Sequence, residues 1–288
     1  MNKQCFLLSA ALLAGFCNLL NGADIYVLAR IANTSSPFNE FQFGKFDLDN
    51  PNTSGGSGNY VYSYSAIGTK GTTALKNLAF NPTNSTMYLS YGTNEYRTID
   101  TSGTLSASSL GTTASLFGMA FNESGELYGA HTTNMYDMNP ATGATLSTAT
   151  LTTMAYSSYG GNMTWMSGSY YFANEYNKSL VILGTNGSYT SVGKFVDTDY
   201  TSSAGHALFM HENQMYLLNG LNLFSVNAAT AALTKLGSIT GIGGTGISKG
   251  FSGAISFTPV PEPSTYAMGL AGMTLIALGA RRKRVTAA

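Results

Sequence analysis

The chain has 288 residues, only 10% of them charged, and a formal net charge of zero at pH 7. A neutral, charge-poor chain has no electrostatic footprint for nucleic acid or a strongly acidic partner. Both cysteines, Cys5 and Cys17, fall within the first 23 residues, so a chain trimmed there has no thiol for disulfides, nucleophilic catalysis or thiolate metal ligation.

The opening run MNKQCFLLSAALLAGFCNLLNGA has a basic start at Lys3, an apolar centre and small residues before Asp24, the layout of a secretory signal peptide. Cleavage is expected between Ala23 and Asp24. A lipoprotein reading of Cys17 is opposed by Phe16, which stands where a small residue is needed, and by the apolar run that continues past the cysteine. Residues 24–258 then form a segment of about 235 residues, enough for one large β domain with a real core.

Within it, ADIYVLARI and FQFGKFDLD read as the second and third strands of a β-sheet blade. Asp47, Asp49 and Asn52 follow in a loop rich in turn formers, with oxygen donors at the short spacing that suits calcium. Gly58 occupies the place of an EF-hand's terminal glutamate, so that motif fails, and an Asx-rich turn explains the same residues. Asp197 and Asp199 form a weaker pair of the same kind.

An internal repeat comes next. NLAFNPTNSTMYLSYGTNEYRTIDTSGTL aligns with FGMAFNESGELYGAHTTNMYDMNPATGATL, and two weaker copies begin at Asn162 and His206. Taking Phe80, Phe121, Trp165 and Phe209 as equivalent anchors gives a period of 41 to 44 residues, the length of a four-stranded propeller blade. GFSGAISF, residues 250–257, reads as a first strand without partners of its own. Pairing it with the strands after Asp24 latches the ring through both ends and leaves no open edge. The expected fold is therefore all-β, a five-bladed β-propeller; six narrower blades fit the same length. On this alignment Tyr88, Tyr128 and Tyr216 follow the anchors at a nearly fixed interval and are expected to pack between blades, as is Trp165.

Catalytic constellations are sparse. The segments assigned as innermost strands, NLAF, GMAF, NMTW, HALF and GAISF, carry no Asp or Glu, whereas glycosidic cleavage needs two carboxyl groups flanking the bond. Glu123 and Glu212 fall in expected turns. His206 and His211 are five residues apart, which in a strand sends them to opposite faces, and HENQM lacks the second histidine of a zinc motif. GIGGTGISKG lacks a following helix pattern and reads as an interblade loop, not a phosphate cradle. The Asn33, Asn84 and Asn162 sequons are those expected by chance in a chain rich in Asn, Ser and Thr.

The tail reads VPEPSTYAMGLAGMTLIALGARRKRVTAA. Residues 264–280 carry no charge, and about 17 residues at 1.5 Å each give roughly 26 Å of helix, a marginal membrane span. Pro261 and Pro263 stop whatever precedes it, and Arg281, Arg282, Lys283 and Arg284 form the cluster that the positive-inside rule keeps cytoplasmic.

In order and position, Val260, Pro261, Glu262 and Pro263, the apolar run and the basic cluster resemble the PEP-CTERM sorting signal of Gram-negative bacteria. The resemblance covers residues 259–288 alone, and the Val-Thr-Ala-Ala after the cluster is a small departure from it. It implies recognition of residues 260–263 by exosortase, a membrane cysteine protease-transpeptidase, with residues 281–284 as the stop-transfer element. It also implies export across the inner membrane, transient anchoring through the C-terminal helix, and release to the cell surface or matrix.

Two functions follow as expectations. The first is a non-catalytic binding or structural module of the exopolysaccharide or biofilm matrix, whose partners are polysaccharide or surface proteins and which needs no cofactor beyond the calcium candidate. The second is an extracellular polysaccharide-active hydrolase or lyase on a propeller scaffold.

Overall fold

A computed structural model describes residues 24–32, 39–52, 58–151, 163–201, 205–243 and 250–256. The signal peptide, the sorting signal at 259–288, Asn33, Asn162 and the centre of GIGGTGISKG lie outside the described residues. Among the described residues no helix is long and apolar enough to cross a membrane.

In chain order the strands are β1 (Asp24–Ala32), β2 (Asn39–Asp47), β3 (Tyr60–Ser63) and β4 (Ser65–Gly71), then β5 (Leu75–Asn81), β6 (Thr86–Tyr91), β7 (Glu95–Ile99) and β8 (Gly111–Thr112). They continue with β9 (Gly118–Phe121), β10 (Leu127–His131), β11 (Asn134–Met138) and β12 (Thr145–Thr150), then β13 (Met163–Met166), β14 (Ser169–Asn174), β15 (Ser179–Leu183) and β16 (Tyr189–Lys194). The last are β17 (His206–His211), β18 (Gln214–Asn219), β19 (Asn222–Val226), β20 (Leu233–Thr240) and β21 (Gly250–Ser256).

Four sheets are consecutive antiparallel meanders: β5 to β8 form blade I, β9 to β12 blade II, β13 to β16 blade III and β17 to β20 blade IV. Blade V has the order β21-β1-β2-β4. The last strand of the domain is thus the innermost strand of the blade that the first strand begins, with Ile25 opposite Ser256 and Arg30 opposite Gly250. The five innermost strands β5, β9, β13, β17 and β21 contact one another in a closed cycle. The domain is a five-bladed β-propeller.

The core follows from this arrangement. Five apolar clusters fill the five interfaces between neighbouring blades. Along β1, Ile25, Val27, Ala29 and Ile31 face blade IV while Tyr26 and Leu28 face blade I. An inner strand is therefore buried on both faces, which is why IYVLA reads as a continuous apolar run. Outer strands lie against solvent, and β12, TLSTAT, is exposed along most of its length. Each fully buried side chain such as Phe46, Phe172 or Phe224 contributes about 1.5–3 kcal/mol.

Turn chemistry repeats with the blades. Asp100, Asn139 and Asn227 each accept the backbone N–H two residues on and so start the turn between the third and fourth strands. Each turn closes on a residue at positive φ, Gly103, Gly143 or Ala231. This is the Asp/Asn followed by Thr/Ser-Gly of the sequence repeat. Tyr96 of blade I donates its hydroxyl to Pro140 O in the corresponding turn of blade II, and burial pushes its pKa well up.

One element had no counterpart in the sequence repeat. Before β4, the chain of blade V crosses to blade IV, where β3 pairs in parallel with β20 from Gly237–Tyr60 to Thr240–Ser63. Tyr64 N donates to Thr240 O at 2.8 Å immediately afterwards. This strap ties blade IV to blade V a second time, at the outer edge, beyond the latch at the centre.

At the centre the inner strands approach closely. A Cβ on Gly253 would lie 2.6 Å from Leu78 N, and Ser252 donates to Leu75 O at 2.6 Å, so β21 seats directly on β5. Gly253→Val is expected to cost about 2 kcal/mol or more in chemical denaturation, because the obstacle is backbone. A domain ending before Gly250 is expected to expose the inner edge of β1 and self-associate in light scattering; a monomer with unchanged melting temperature would refute the latch.

Candidate functional site

The blades share a register that puts one residue from each innermost strand at the same level. Phe80 stands opposite Met87, Phe121 opposite Leu127, Trp165 opposite Tyr170, Met210 opposite Met215 and Ser256 opposite Ile25. These five residues line a cavity of about 270 Å³ together with Pro82, Asn122, Glu123 and Thr164. Because they come from the C-terminal ends of the innermost strands, the cavity is the mouth of the central channel on that face.

This register corrects one anchor. Phe209 is opposite Tyr216, the level of Ala79 and Ala120, so Met210 is the structural equivalent of Phe80, Phe121 and Trp165. A one-residue slip turns a side chain to the other face, and Phe209 accordingly packs in the core between blades IV and V. The tyrosines pack as expected. Tyr88 touches Phe121 of the next blade with ring centroids 5.2 Å apart, and Tyr128 touches Tyr170 at 5.0 Å, while Tyr216 stacks on Phe209 at 5.3 Å.

Trp165 is not wholly core. It is half-buried, rests on Tyr170 with centroids 4.6 Å apart, and its Nε1 donates to Glu123 Oε2. Glu123, in the turn between β9 and β10, is the single carboxylate among the described residues lining the cavity, and none of those residues is Lys or Arg. Across the mouth, Ser256 Oγ and His211 Nδ1 are hydrogen-bonded at 2.8 Å. Glu212 lies in the β17–β18 turn at φ 46°.

At the other end of β17 the structure assembles a buried polar cluster that sequence reasoning missed. His206 is fully buried, with its Nδ1 3.7 Å from Glu175 Oε1. Asn219 fixes the tautomer: its Oδ1 accepts from Thr201 N and its Nδ2 donates to Thr201 O, both at 2.8 Å, and that same Nδ2 donates to His206 Nε2. Nε2 is thus an acceptor, and the proton is on Nδ1, whose distance to Glu175 Oε1 is beyond hydrogen-bond range. The arrangement resembles a carboxylate–imidazole pair, yet its outer nitrogen is occupied, so it serves to pin the chain between β16 and β17. Tyr200 packs against His206 with centroids 5.3 Å apart, and burial pushes its hydroxyl pKa well up. The available sequence signal was Asn-Glu at the end of β14, which without a register gave no partner.

The histidines therefore sit at opposite ends of one strand. Of the calcium candidates, Asp47 accepts from Asp49 N at 3.0 Å and from Asn50 Nδ2 at 2.7 Å, and Asn52 donates to Ser63. Asp47 and Asn52 thereby shape the turn leading to β3. Among the described residues no group of three or more His, Cys, Asp or Glu converges. Asp24, first residue of β1, accepts from Lys45 Nζ at 2.7 Å, and Asp199 accepts from Lys235 Nζ at 2.7 Å.

Comparison with known proteins resolves the tail. The PEP-CTERM protein-sorting motif matches residues 259–284. The chain carries a PEP-CTERM sorting signal. A PEP-CTERM motif implies export, transient membrane anchoring and exosortase processing toward the cell surface. No curated protein matches the chain. Similar solved structures include a nidogen/laminin complex, at 10% identity over 72% of this chain and 75% of that chain, with a TM-score of 0.45. Virginiamycin B lyase from Staphylococcus aureus is similar at 12% identity over 73% and 70%, with a TM-score of 0.40. Glutaminyl cyclase from Myxococcus xanthus is similar at 14% identity over 58% and 70%, with a TM-score of 0.43.

The His206 cluster makes a pH prediction. Burial pushes His206 down from 6.5 to about 3, and a proton on Nε2 would oppose the Asn219 N–H. Between these values the unfolded chain binds a proton that the folded chain refuses, so this residue's contribution falls as pH drops through the window. His206→Gln is expected to flatten that slope in urea unfolding measured from pH 7 to pH 4; an unchanged slope would assign the acid sensitivity elsewhere.

Proposed function

We propose that the protein is a non-catalytic binding or structural module of the extracellular polysaccharide matrix, delivered there by exosortase. In this reading Val260 to Pro263 are the recognition element, residues 264–280 the temporary membrane helix and Arg281 to Arg284 its stop-transfer cluster, while Ala23–Asp24 is the signal-peptidase junction. What supports the non-catalytic half is the channel mouth: among the described residues lining it the one carboxylate, Glu123, is hydrogen-bonded to Trp165, and no second carboxylate stands there to complete an acid and base or nucleophile pair. An apolar mouth with a few polar groups is suited to holding a ligand.

Two measurements test the proposal. Purified domain is expected to cosediment with matrix polysaccharide without releasing reducing ends or unsaturated products; catalytic release of either would restore the hydrolase or lyase reading. Glu262→Ala is expected to leave uncut precursor in the membrane, because the basic cluster resists translocation once the apolar run is embedded. Intact C-terminal peptides on surface protein from exosortase-competent cells would refute the processing step.

A further inference from the structure

We propose that the channel mouth is a saccharide site that takes one neutral sugar ring, as the end or a side branch of a glycan. This rests on the matrix-binding reading and names what the domain holds. Size sets the first limit. A cavity of about 270 Å³ lies just below the usual size of ligand pockets and accommodates about one ring.

The wall chemistry sets the second. Phe80 and Trp165 stand half-buried at one level of the mouth, and Phe121, on the blade between them, lies at that level buried against Tyr88. Trp165 is already held by its hydrogen bond to Glu123 and by contact with the tilted ring of Tyr170, so little side-chain freedom is lost when a guest stacks on it. A pyranose offers the matching surface, with C–H bonds on its face and hydroxyls around its rim. Glu123 accepts the indole N–H through Oε2, and a carboxylate has a second oxygen with which to accept a hydroxyl. Ser256 Oγ, coupled to His211, supplies a hydroxyl that donates or accepts across the mouth.

Charge sets the third. With one carboxylate and no Lys or Arg among the described residues of the lining, an acidic sugar would bring a second negative charge against Glu123 without a counter-ion there. A wholly apolar guest fails for the converse reason, because it would strip water from Glu123 and Ser256 and return no hydrogen bond. Neutral, hydroxyl-bearing and single-ringed is the chemistry that remains.

Trp165 is the only tryptophan in the chain, so intrinsic fluorescence reports on this site alone. The probes are glucose, galactose and mannose with their disaccharides, and glucuronate and galacturonate as charged controls. The expected result is a saturable change in emission with at least one neutral sugar, and binding about tenfold or more weaker for its uronate. In isothermal titration, Trp165→Ala is expected to weaken binding about tenfold or more and Glu123→Gln about three- to tenfold. Trp165→Phe keeps a ring against Tyr170 and is expected to bind with intermediate affinity, which separates lost stacking from lost folding. No emission change with any neutral sugar on folded protein would overturn the proposal, as would binding indifferent to Trp165→Ala and Glu123→Gln. Matrix cosedimentation without a sugar response would place the matrix contact elsewhere and sink this inference alone; loss of cosedimentation as well would sink the broader reading.

Discussion

The pairing of β21 with β1 is the constraint on which the other features depend. Blades I to IV are each hydrogen-bonded within a local meander, but blade V exists only because residues 250–256 return to the strand that starts at Asp24. Without that return the inner edge of β1 is open, the faces of β17 and β5 toward the missing strand are uncovered, and two of the five interblade cores lose a wall. Ring closure is therefore cooperative. Phe251 and Ala254 pack toward blade IV while Ile255 packs toward blade I, so one strand completes two interfaces.

The same pairing builds the candidate site. Ser256 reaches the channel mouth as the last residue of the latch, and its register against Ile25 puts it level with Phe80, Phe121, Trp165 and Met210. One consequence is asymmetry: four of the five equivalent positions are apolar, and the fifth carries a hydroxyl tied to His211. Another is that the beginning of β1 and the end of β21 lie side by side at the channel mouth. The buried His206 cluster occupies the other end of β17, so the polar groups that stabilise the fold and those available to a ligand are on different faces.

Electrostatics contributes little to holding the domain together. Lys45–Asp24, Lys70–Glu40, Arg97–Glu95 and Lys235–Asp199 are solvent-accessible pairs of the kind worth at most about 1 kcal/mol each. Stability comes instead from apolar side chains packed on both faces of the inner strands and from Asx turns that repeat with the blades. That accords with a chain poor in charge and without cysteine after residue 23.

The sequence by itself determined the repeat, the all-β class, the latch and the sorting signal, because each is a periodic or contiguous pattern. Blade length shows as self-similarity, strand burial as apolar runs, and the tail as an ordered trio of proline motif, apolar run and cations. What only the tertiary structure decided depends on register and on contacts between distant residues. Phe209 looked like an anchor because it is aromatic, yet pairing with Tyr216 moved that role to Met210. Trp165 looked like core until Glu123, in another blade, proved to accept its N–H at the channel mouth. Glu175, His206 and Asn219 come from three strands or turns of two blades, and β3 joins a sheet about 175 residues further along the chain. Local pattern carries no information on such pairs, since they are fixed by how the blades close around the axis.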